Sequence, residues 1–437
     1  MRHTIKAALI ASAFAIGIAA PAAAQDALKL PNMSYRTGPF AATGTPHMNG
    51  QLDYMTMLNE RDGGINGVRV AFDECETGYN TEKGVECYER TKSDGTLITQ
   101  PWSTGITLQV LPRTNVDQIP MFAPSYGFSA MQDGKTFKWA FNPPTSYWDG
   151  ASMIMQAISD GNLDNLNGKK IALLHLDHPY GKEPIPLLES LAAKHGFSLL
   201  PIPVGLTEMQ NQSAQWLQIR RERPDFVLMW GWGAMNAGAI TEAVKTRYPM
   251  NQFVSVWWGA HEPDLKLVGD QGKGYRALSW NFVDSDSKLM QDVKKYVVDT
   301  GKSQINQAAG EFDSTAYQRG ILMSVMLADA VRAAQDHAGT PNIDREQLRW
   351  GLENIKLDEA KLAEIGAEEM MAPFSTSCSN HTGHASAWMV EWDGAKFVKA
   401  SDLLTADRAS IDPLVEKASA EYAAANQPWG MNDECTE

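Results

Sequence analysis

"YRTGPFAATGTPHMNGQLDYMTMLNERDGGINGVRVAFDEC", residues 35–75, is the stretch that decides the fold class. An extended segment from residue 28 runs into its Gly-Pro loop, and a helical pattern follows over residues 47–63. Two glycines then form a turn before a second strand-like run, residues 65–75. A strand, a helix and a second strand in this order are typical of a parallel sheet whose strands are joined by helices.

The same alternation of strand and helix continues through residue 125 and then restarts. "KKIALLHLD" begins a second series at residue 169, and its later strands are "FSLLPIPV", "DFVLMWGWG" and "QFVSVWW". A long amphipathic helix over residues 313–339 and a hairpin around Asp393 and Gly394 follow. Because the chain is too long for one compact core, we predict an α/β fold of two similar units in series, facing each other across a cleft.

The N-terminus has the three parts of a secretory signal peptide. Arg2 and Lys6 form a short positive region, residues 7–20 are almost wholly apolar, and the alanines at 22–24 fit the small-residue cleavage pattern. The apolar run is shorter than the roughly 20 residues of a membrane span, which argues against an uncleaved anchor. We predict a signal peptide over residues 1–24, cleavage after Ala24 and export to the periplasm.

The charge of the chain narrows the choice of partners. The formal net charge is −14, and it becomes −16 once the two positive charges of the predicted leader are removed. An acidic surface disfavours nucleic acid and anionic lipid. It also gives no long-range attraction to an anionic ligand, so any acid that binds must be captured by local groups.

The four cysteines, Cys75, Cys87, Cys378 and Cys435, fit an oxidising compartment. Four cysteines allow three pairings, and the sequence alone does not choose among them. Cys75 with Cys87 and Cys378 with Cys435 is the simplest choice. A zinc site is the alternative, but the sequence has no C-x-x-C and no histidine cluster near either pair. We therefore expect no metal and no cofactor.

The opening stretch, extended to "YN" at residue 80, resembles the start of the type I periplasmic substrate-binding proteins of ABC importers. It is most similar to the branched-chain amino-acid subclass, the leucine/isoleucine/valine-binding proteins. "HPYGKEPIPLLESLAAKHGF", residues 178–197, resembles the first strand-to-helix loop of that family's second lobe. The resemblance covers essentially the whole chain after the leader. The long C-terminal tail and the number of tryptophans near the cleft depart from the family pattern.

The resemblance implies two Rossmann-like lobes with parallel-rich sheets, joined by three crossovers. It also implies that the lobes close on a ligand and that the protein, as a monomer, docks on the membrane subunits of an ABC permease. The expected crossovers lie near residues 141–150, 278–284 and 372–380. The expected lobes are 25–141 plus 281–373 for the first, and 142–280 plus 374–437, with a C-terminal extension, for the second.

The ligand site is expected at the carboxyl ends of the strands, where open α/β sheets bind ligands. Ser103 and Thr104 begin a predicted helix, so they could bind an anion or serve as an ordinary N-cap. The resemblance places a carboxylate-binding hydroxyl there, and an aromatic side chain against the ligand at the position of Phe40. The candidates from the first lobe are Phe40, Trp102, Ser103, Thr104, Ser125 and Tyr126.

Aromatic residues dominate the candidates of the second lobe. Trp232 stands between two glycines and is expected to contact the ligand, while Trp230 is expected to lie partly in the core. At least one of Trp257 and Trp258 is expected to pack against flanking helices. So many rings favour an aromatic or other planar small acid over leucine or valine. The candidates are Tyr147, Tyr180, Trp230, Trp232, Trp258, His261 and Glu262.

Three of these second-lobe candidates have open alternatives. Tyr147 lies at the first expected crossover, so it could instead pack on the hinge. The resemblance makes Glu262 the partner of a ligand ammonium group, with His261 as the neighbour that could act in its place. A glutamate in a loop is otherwise most often solvated.

An enzyme is the first competing class, and the sequence disfavours it. It has no G-x-S-x-G elbow, no H-E-x-x-H and no P-loop, and its only local acid/base cluster is His261, Glu262 and Asp264. A sensory binding protein that presents its ligand to a receptor is the second. The same two-lobe chemistry serves sensing and transport, so the sequence does not separate them.

Overall fold

The computed structural model describes residues 27–383 and 385–435, and the signal peptide predicted over residues 1–24 lies outside them. The first part of the chain alternates short strands with helices. Its elements are β1 (Leu28–Lys29), α1 (Ala41–Arg61), β2 (Val70–Ala71), α2 (Thr81–Thr91), α3 (Thr104–Asp117), β3 (Met121–Phe122) and β4 (Ala140–Phe141).

These four strands pair in parallel as β1 with β2 and β3 with β4. Residues 99–101 lie between the two pairs and make single parallel bridges, from Pro101 to Met33 and from Thr99 to Met121. Regular pairing in β1 stops at Lys29, although the sequence predicts a strand to residue 37. Pairing resumes as single bridges from Asn32 to Glu74 and from Met33 to Pro101. Backbone hydrogen bonds to the second strand nevertheless continue, from Leu30 N to the Ala71 carbonyl oxygen and from Asn32 N to that of Asp73, each over 2.8 Å.

The second part of the chain supplies most of the other sheet. Its elements are α4 (Tyr147–Ile158), β5 (Lys170–Leu176), α5 (Pro179–Lys182), α6 (Ile185–His195), β6 (Ser198–Val204), α7 (Ser213–Glu222), β7 (Phe226–Trp230), α8 (Ala234–Lys245), β8 (Phe253–Ser255), α9 (Glu262–Lys266) and β9 (Arg276–Ser279). Strands β5 and β7 are buried along almost their whole length, as strands covered by helices on both faces must be.

The remaining segments return to both lobes. They are α10 (Lys288–Val293), α11 (Thr315–Ala338), α12 (Arg345–Glu353), β10 (Lys356–Leu357), α13 (Glu359–Ile365), β11 (Phe374–Ser375), β12 (Ser386–Trp392), β13 (Phe397–Lys399), β14 (Leu404–Thr405) and α14 (Arg408–Ala425). The second sheet has the order β13, β12, β9, β8, β7, β5, β6, with β14 also paired to β12. Strands β5 to β9 run parallel, and β12 is antiparallel to β9.

The chain passes between the lobes three times, as the predicted fold requires. The chain first leaves the first lobe after β4 and enters α4, which packs on β12 of the second lobe. It returns after β9 and enters α10, which packs on α1 of the first lobe. It crosses again after β11, which pairs with β10, and enters β12. The residue limits that we expected for the lobes stay predictions.

The C-terminal tail contacts both lobes. Helix α14 packs on α4 and α6 of the second lobe, whereas the Tyr422 ring contacts Phe128 and Phe137 of the first. Beyond the helix, Trp429 Nε1 donates to the carbonyl oxygen of Thr136 over 2.7 Å. Two disulfides join the pairs that the sequence suggested, Cys75 with Cys87 and Cys378 with Cys435.

No helix within residues 27–383 and 385–435 is long and apolar enough to cross a membrane. The same ranges hold no group of three or more His, Cys, Asp or Glu side chains placed to hold a metal ion.

Candidate functional site

The carboxyl ends of strands from both sheets meet at one place, and aromatic side chains fill it. Strands β5, β7 and β8 end there in the second lobe, opposite the ends of β1, β2, β3 and the 99–101 segment in the first. Twelve buried rings form one connected set, which we call the aromatic cluster. Its members are Tyr35, Phe40, His47, Tyr79, Trp102, Tyr126, Tyr147, Tyr180, Trp230, Trp232, Trp257 and Trp258.

Ring contacts within the cluster join the two lobes. Trp258 lies 4.6 Å from Tyr126 and 4.7 Å from Trp232, measured between ring centroids. Trp232 also lies 6.3 Å from Tyr35 of the first lobe. The hydroxyls of Tyr35 and Tyr126 are 2.7 Å apart, so one donates to the other. The second-lobe tryptophans thus pack directly on first-lobe tyrosines.

Gly233 allows this close approach beside Trp232. Its φ is +57°, in the left-handed region that favours glycine. A Cβ at this position would lie 2.8 Å from Cδ1 of Phe40 and 2.9 Å from the carbonyl oxygen of Pro39. A side chain at position 233 would clash with Phe40 and Pro39 and hold the lobes apart, which explains why a glycine follows Trp232.

Trp230 and Trp232 have different surroundings, although both are buried. The Trp230 ring, at the last residue of β7, meets Tyr147 edge-on at 6.3 Å. Trp232 contacts a ring of each lobe. The partly core position of Trp230 and the contact of Trp232 with a ligand both stay predictions.

Trp257 and Trp258 do not alternate across a strand, contrary to the strand predicted over residues 252–258. Strand β8 ends at Ser255, and the pair lies in a 3₁₀ turn. Trp257 stacks on Tyr147 at 5.4 Å and an interplanar angle of 8°, and Trp258 Nε1 donates to the Tyr147 hydroxyl over 3.2 Å. Both rings therefore belong to the cluster.

Ser103 occupies the N-cap position of α3, but its side chain does not cap the helix. Its Oγ is fully buried, and among the described residues only the Tyr79 hydroxyl lies close enough to interact with it. Ser125 Oγ is also buried and has no hydrogen-bond partner among these residues. Ser125 adopts a φ of +60°, an uncommon value for a non-glycine residue. Both hydroxyls are thus available beside the start of α3, where free N–H groups and the helix dipole favour an anion.

Indole donors add to this set. The Nε1 atoms of Trp230 and Trp232 are buried and have no acceptor within the described part of the chain. Thr104 differs, because its Oγ1 accepts from Gly127 N over 3.3 Å. Burial of polar donors costs free energy unless they are hydrogen-bonded, so the cluster is suited to a ligand with acceptor atoms.

Tyrosine hydroxyls in the cluster remain neutral. Burial raises the pKa of Tyr35, Tyr126 and Tyr147 well above the ordinary value, and neighbouring tyrosines add to the effect. Tyr180 behaves in the same way, and its hydroxyl donates to the Gly231 carbonyl oxygen over 2.9 Å. Burial, together with the charge of Arg319, lowers the pKa of His47 to about 3, so that ring is neutral as well.

Arg319 borders the cluster and was not identified from the sequence. This buried side chain of α11 lies with its guanidinium carbon 5.2 Å from the Trp258 centroid and 5.5 Å from that of Trp280. It donates to Asn281 Oδ1 over 2.8 Å and to the Trp257 carbonyl oxygen over 2.9 Å. Burial lowers its pKa to about 10, so it keeps its positive charge.

Tyr35, His47, Tyr79 and Trp257 were also not selected as candidates. Tyr35 and Tyr79 follow the first two strands, so the strand-end rule could have found them. His47 lies inside α1, and Arg319 follows the first turn of α11, so neither is at a strand end. A single arginine before the apolar run of α11 is the only sequence signal that Arg319 offers.

Glu262 and His261 have protein partners of their own. The Glu262 carboxylate accepts hydrogen bonds from the backbone N–H of Thr315, over 3.2 and 3.3 Å, and from its hydroxyl, at the first residue of α11. His261 Nδ1 lies 3.0 Å from Asp264 Oδ2. Burial opposes the charge of His261, but the nearby carboxylates of Asp264 and Glu262 outweigh it and raise its pKa. A role for either residue at a ligand ammonium stays a prediction.

A further contact between the lobes lies near the first crossover. Glu183 Oε2 accepts from the backbone N–H of Ser129 over 3.0 Å and from its hydroxyl over 2.7 Å. Trp148 Nε1 donates to the Glu183 carbonyl oxygen over 2.8 Å. Burial raises the pKa of the Glu183 carboxyl to about 7, against the effect of the Ser129 hydrogen bonds.

Solved structures share this architecture. A protein of the Pseudomonas fluorescens group, described as an ABC transporter permease, is 34% identical, with a TM-score of 0.83 over 92% of this chain and 98% of that one. A branched-chain amino-acid ABC transporter protein from Thermus thermophilus with bound valine is 19% identical, with a TM-score of 0.76 over 91% and 99%. A solute-binding protein from R. palustris in complex with benzoate is 16% identical, with a TM-score of 0.69 over 88% and 99%.

The family comparison agrees with the fold. No curated protein matches the sequence. Residues 27–396 match the family model described as periplasmic binding protein. The chain therefore belongs to the periplasmic binding proteins of type I fold, the extracytoplasmic, non-enzymatic substrate-binding proteins of ABC transporters.

Proposed function

We propose that the protein binds a small planar carboxylate, preferably an aromatic acid, between its two lobes and delivers it to an ABC permease. The observation that carries this proposal is a set of buried donors at one aromatic cluster. Ser125 Oγ and Trp232 Nε1 have no partner among the described residues, and Ser103 Oγ has only the Tyr79 hydroxyl beside it. Neutral donors fixed in a low-dielectric site hold a carboxylate strongly, and aromatic walls hold a flat apolar body.

Local electrostatics support an anion at this place. The positive end of the α3 dipole lies beside Ser103, and the buried Arg319 guanidinium is the nearby cation. Since the chain as a whole is acidic, these groups supply the attraction that its net charge does not.

A ligand without an ammonium group fits the arrangement better than an amino acid. The carboxylates closest along the chain to the Trp257–Trp258 turn, Glu262 and Asp264, already have partners in Thr315 and His261. An ammonium group would have to compete for one of them. A branched-chain amino acid remains the alternative ligand, and the valine-bound and benzoate-bound proteins of the same fold illustrate the two classes.

Ligand identity is tested by native mass spectrometry of the purified protein, followed by tryptophan-fluorescence titration with benzoate, 4-hydroxybenzoate, leucine and valine. We expect saturable binding of an aromatic acid. Saturable binding of leucine, without a response to either aromatic acid, would contradict the proposed ligand class.

Transport is proposed over sensing, in which the protein would present its ligand to a receptor. Loss of uptake of the identified acid in a deletion strain supports transport, whereas intact uptake with a lost transcriptional or chemotactic response would assign the protein to sensing.

We also propose a periplasmic monomer whose leader is cut after Ala24. N-terminal sequencing of the exported protein should begin at Gln25, and light scattering should give the mass of one chain.

A further inference from the structure

A groove of about 330 Å³ opens on the second lobe at the end opposite the aromatic cluster. Its walls come from the residues that precede β7 and β8, at the amino ends of these strands. Three arginines line it, together with Tyr248 and two prolines. The lining residues used below are Arg220, Arg223, Pro224, Arg247, Tyr248 and Pro249.

The guanidinium groups of Arg220, Arg223 and Arg247 make no hydrogen bond and no ion pair within the described residues. The adjacent Arg221 is different, because its Nε lies 3.2 Å from Glu222 Oε1. Each guanidinium offers five N–H donors and is permanently charged. Three unpaired positive charges in one groove are unusual on a chain whose formal net charge is −14.

Nearby acids are already engaged elsewhere. Asp225, whose charge acts on Tyr248, accepts from Lys169 Nζ over 3.1 Å and from Lys170 N over 2.8 Å. Glu222 pairs with Lys170 as well as with Arg221. The groove therefore keeps a positive surplus, although acidic residues flank it.

Helix ends explain part of this arrangement. Arg220 lies in the last turn of α7, Arg223 is its C-cap, and Arg247 follows the C-cap of α8. Cations at these positions complement the negative ends of the two helix dipoles. The dipoles do not explain why three arginines from two helices line the same groove and leave their donors unpaired.

We propose that this groove, which we call the arginine groove, binds a phosphate-bearing anion. A phosphate group carries nearly two negative charges and three strong acceptor oxygens, so it can engage more than one guanidinium at once. A monocarboxylate could balance only one of the three charges. Tyr248, Pro224 and Pro249 provide apolar surface for the organic part of a phosphate ester.

The phosphate could belong to a small soluble molecule or to a lipid headgroup. The acidic surface repels an anionic bilayer, which favours the soluble form. The site is independent of the cleft, so failure of the proposed cleft ligand would leave it untouched.

The first test is isothermal titration of the full-length exported protein with inorganic phosphate and pyrophosphate, at an ionic strength held constant with chloride. We expect saturable binding, tighter for pyrophosphate. The double variant Arg223→Gln/Arg247→Gln should bind at least about tenfold more weakly, because each lost guanidinium removes charge-assisted hydrogen bonds. Arg221→Gln, a paired neighbour on the same helix, should bind as the unmodified protein does.

These arginines are exposed, so the variants should fold, and unchanged circular dichroism and thermal unfolding verify this. Equal binding by the double variant and the unmodified protein overturns the proposal, as does the absence of saturable binding to any phosphate probe. Sedimentation with vesicles of phosphatidylglycerol and phosphatidylcholine separates the two sources. If the unmodified protein binds vesicles and the double variant does not, the groove binds the phosphate of a lipid headgroup. If the protein binds phosphate but not vesicles, the groove binds a soluble phosphate ester.

Discussion

The guanidinium of Arg319 lies 5.2 Å from the centroid of the Trp258 ring, although the two residues come from different lobes. Arg319 belongs to α11 of the first lobe, and it also donates to the carbonyl oxygen of Trp257. Its other contacts, Asn281 and Trp280, lie at the second crossover. One side chain therefore connects the hinge region to a wall of the proposed ligand site.

Replacement of Arg319 by methionine should weaken ligand binding by about tenfold to a hundredfold, from a loss of roughly 1.5–3 kcal/mol of cation–π and charge-assisted hydrogen bonds. Isothermal titration with the acid identified for the protein measures this effect. The Arg319→Lys variant keeps the charge but not the planar guanidinium. Its ligand affinity should lie between those of Arg319→Met and the unmodified protein. An unchanged affinity in Arg319→Met would show that the contact does not contribute to closure.

Ser103→Ala should weaken binding of a carboxylate by about tenfold, the effect of losing one hydrogen bond to a charged group. It should destabilise the ligand-free protein by less than the roughly 1 kcal/mol typical of a lost N-cap, because the Ser103 side chain does not cap α3. Asn80→Ala is the matched control, since the Asn80 side chain accepts from Lys83 N at the start of α2.

That control should show the opposite pattern, with a lower midpoint in urea unfolding and an unchanged ligand affinity. A Ser103→Ala protein that loses stability but binds as before would assign Ser103 to the helix instead of the ligand.

Trp232→Ala should lower ligand affinity by at least about tenfold, since one aromatic contact with its buried area is worth more than 1 kcal/mol. Trp230→Phe is the comparison, because Trp230 meets Tyr147 alone among the cluster rings and keeps an aromatic core in this variant. We expect a small change in affinity there. Tryptophan fluorescence and calorimetric titration measure both, and equal binding by Trp232→Ala and the unmodified protein would remove this residue from the site.

Glu183 should make stability depend on pH. Its folded-state pKa is about 7 against an ordinary 4.5, so the folded protein binds more protons than the unfolded chain between these values. The contribution of Glu183 to the free energy of unfolding is therefore fully present below pH 4.5. It falls by up to about 3 kcal/mol as the pH rises to about 7.

Comparison with Glu183→Gln isolates this effect from Asp53, whose pKa is raised to about 6 by burial, and from His178, whose pKa burial lowers to about 4. Urea unfolding at pH 4.5 to 8 should show the variant gaining stability relative to the unmodified protein as pH rises. A constant difference across that range would show that Glu183 has no raised pKa.

Much of the fold follows from local sequence patterns. The alternation of strands and helices predicted the two lobes, and the strand-end rule selected Trp102, Ser103, Tyr126, Tyr180, Trp232 and Trp258. All of them lie at or beside the aromatic cluster. These positions depend on nearby sequence, because the end of a parallel strand sets where the next loop begins.

Long-range packing explains what the sequence did not predict. Arg319 reaches the cluster from a helix 62 residues beyond Trp257 along the chain, and Glu262 finds Thr315 at a separation of 53 residues. The 3₁₀ turn that brings both Trp257 and Trp258 into the cluster has no distinct local signal. The partner of a single side chain depends on how the two lobes pack together. The periodicity of apolar residues along the chain does not predict that packing.

The tail that begins on the second lobe and ends on the first acts as a fourth tether. The Cys378–Cys435 disulfide closes a covalent ring that contains the β12–β13 edge of the second sheet and all of α14. Rotation that separates the lobes widely would have to strip Tyr422 and Trp429 from the first lobe. The hinge is therefore stiffer than three crossovers alone would make it, and we expect ligand exchange through a narrow opening that admits small solutes and excludes bulky ones.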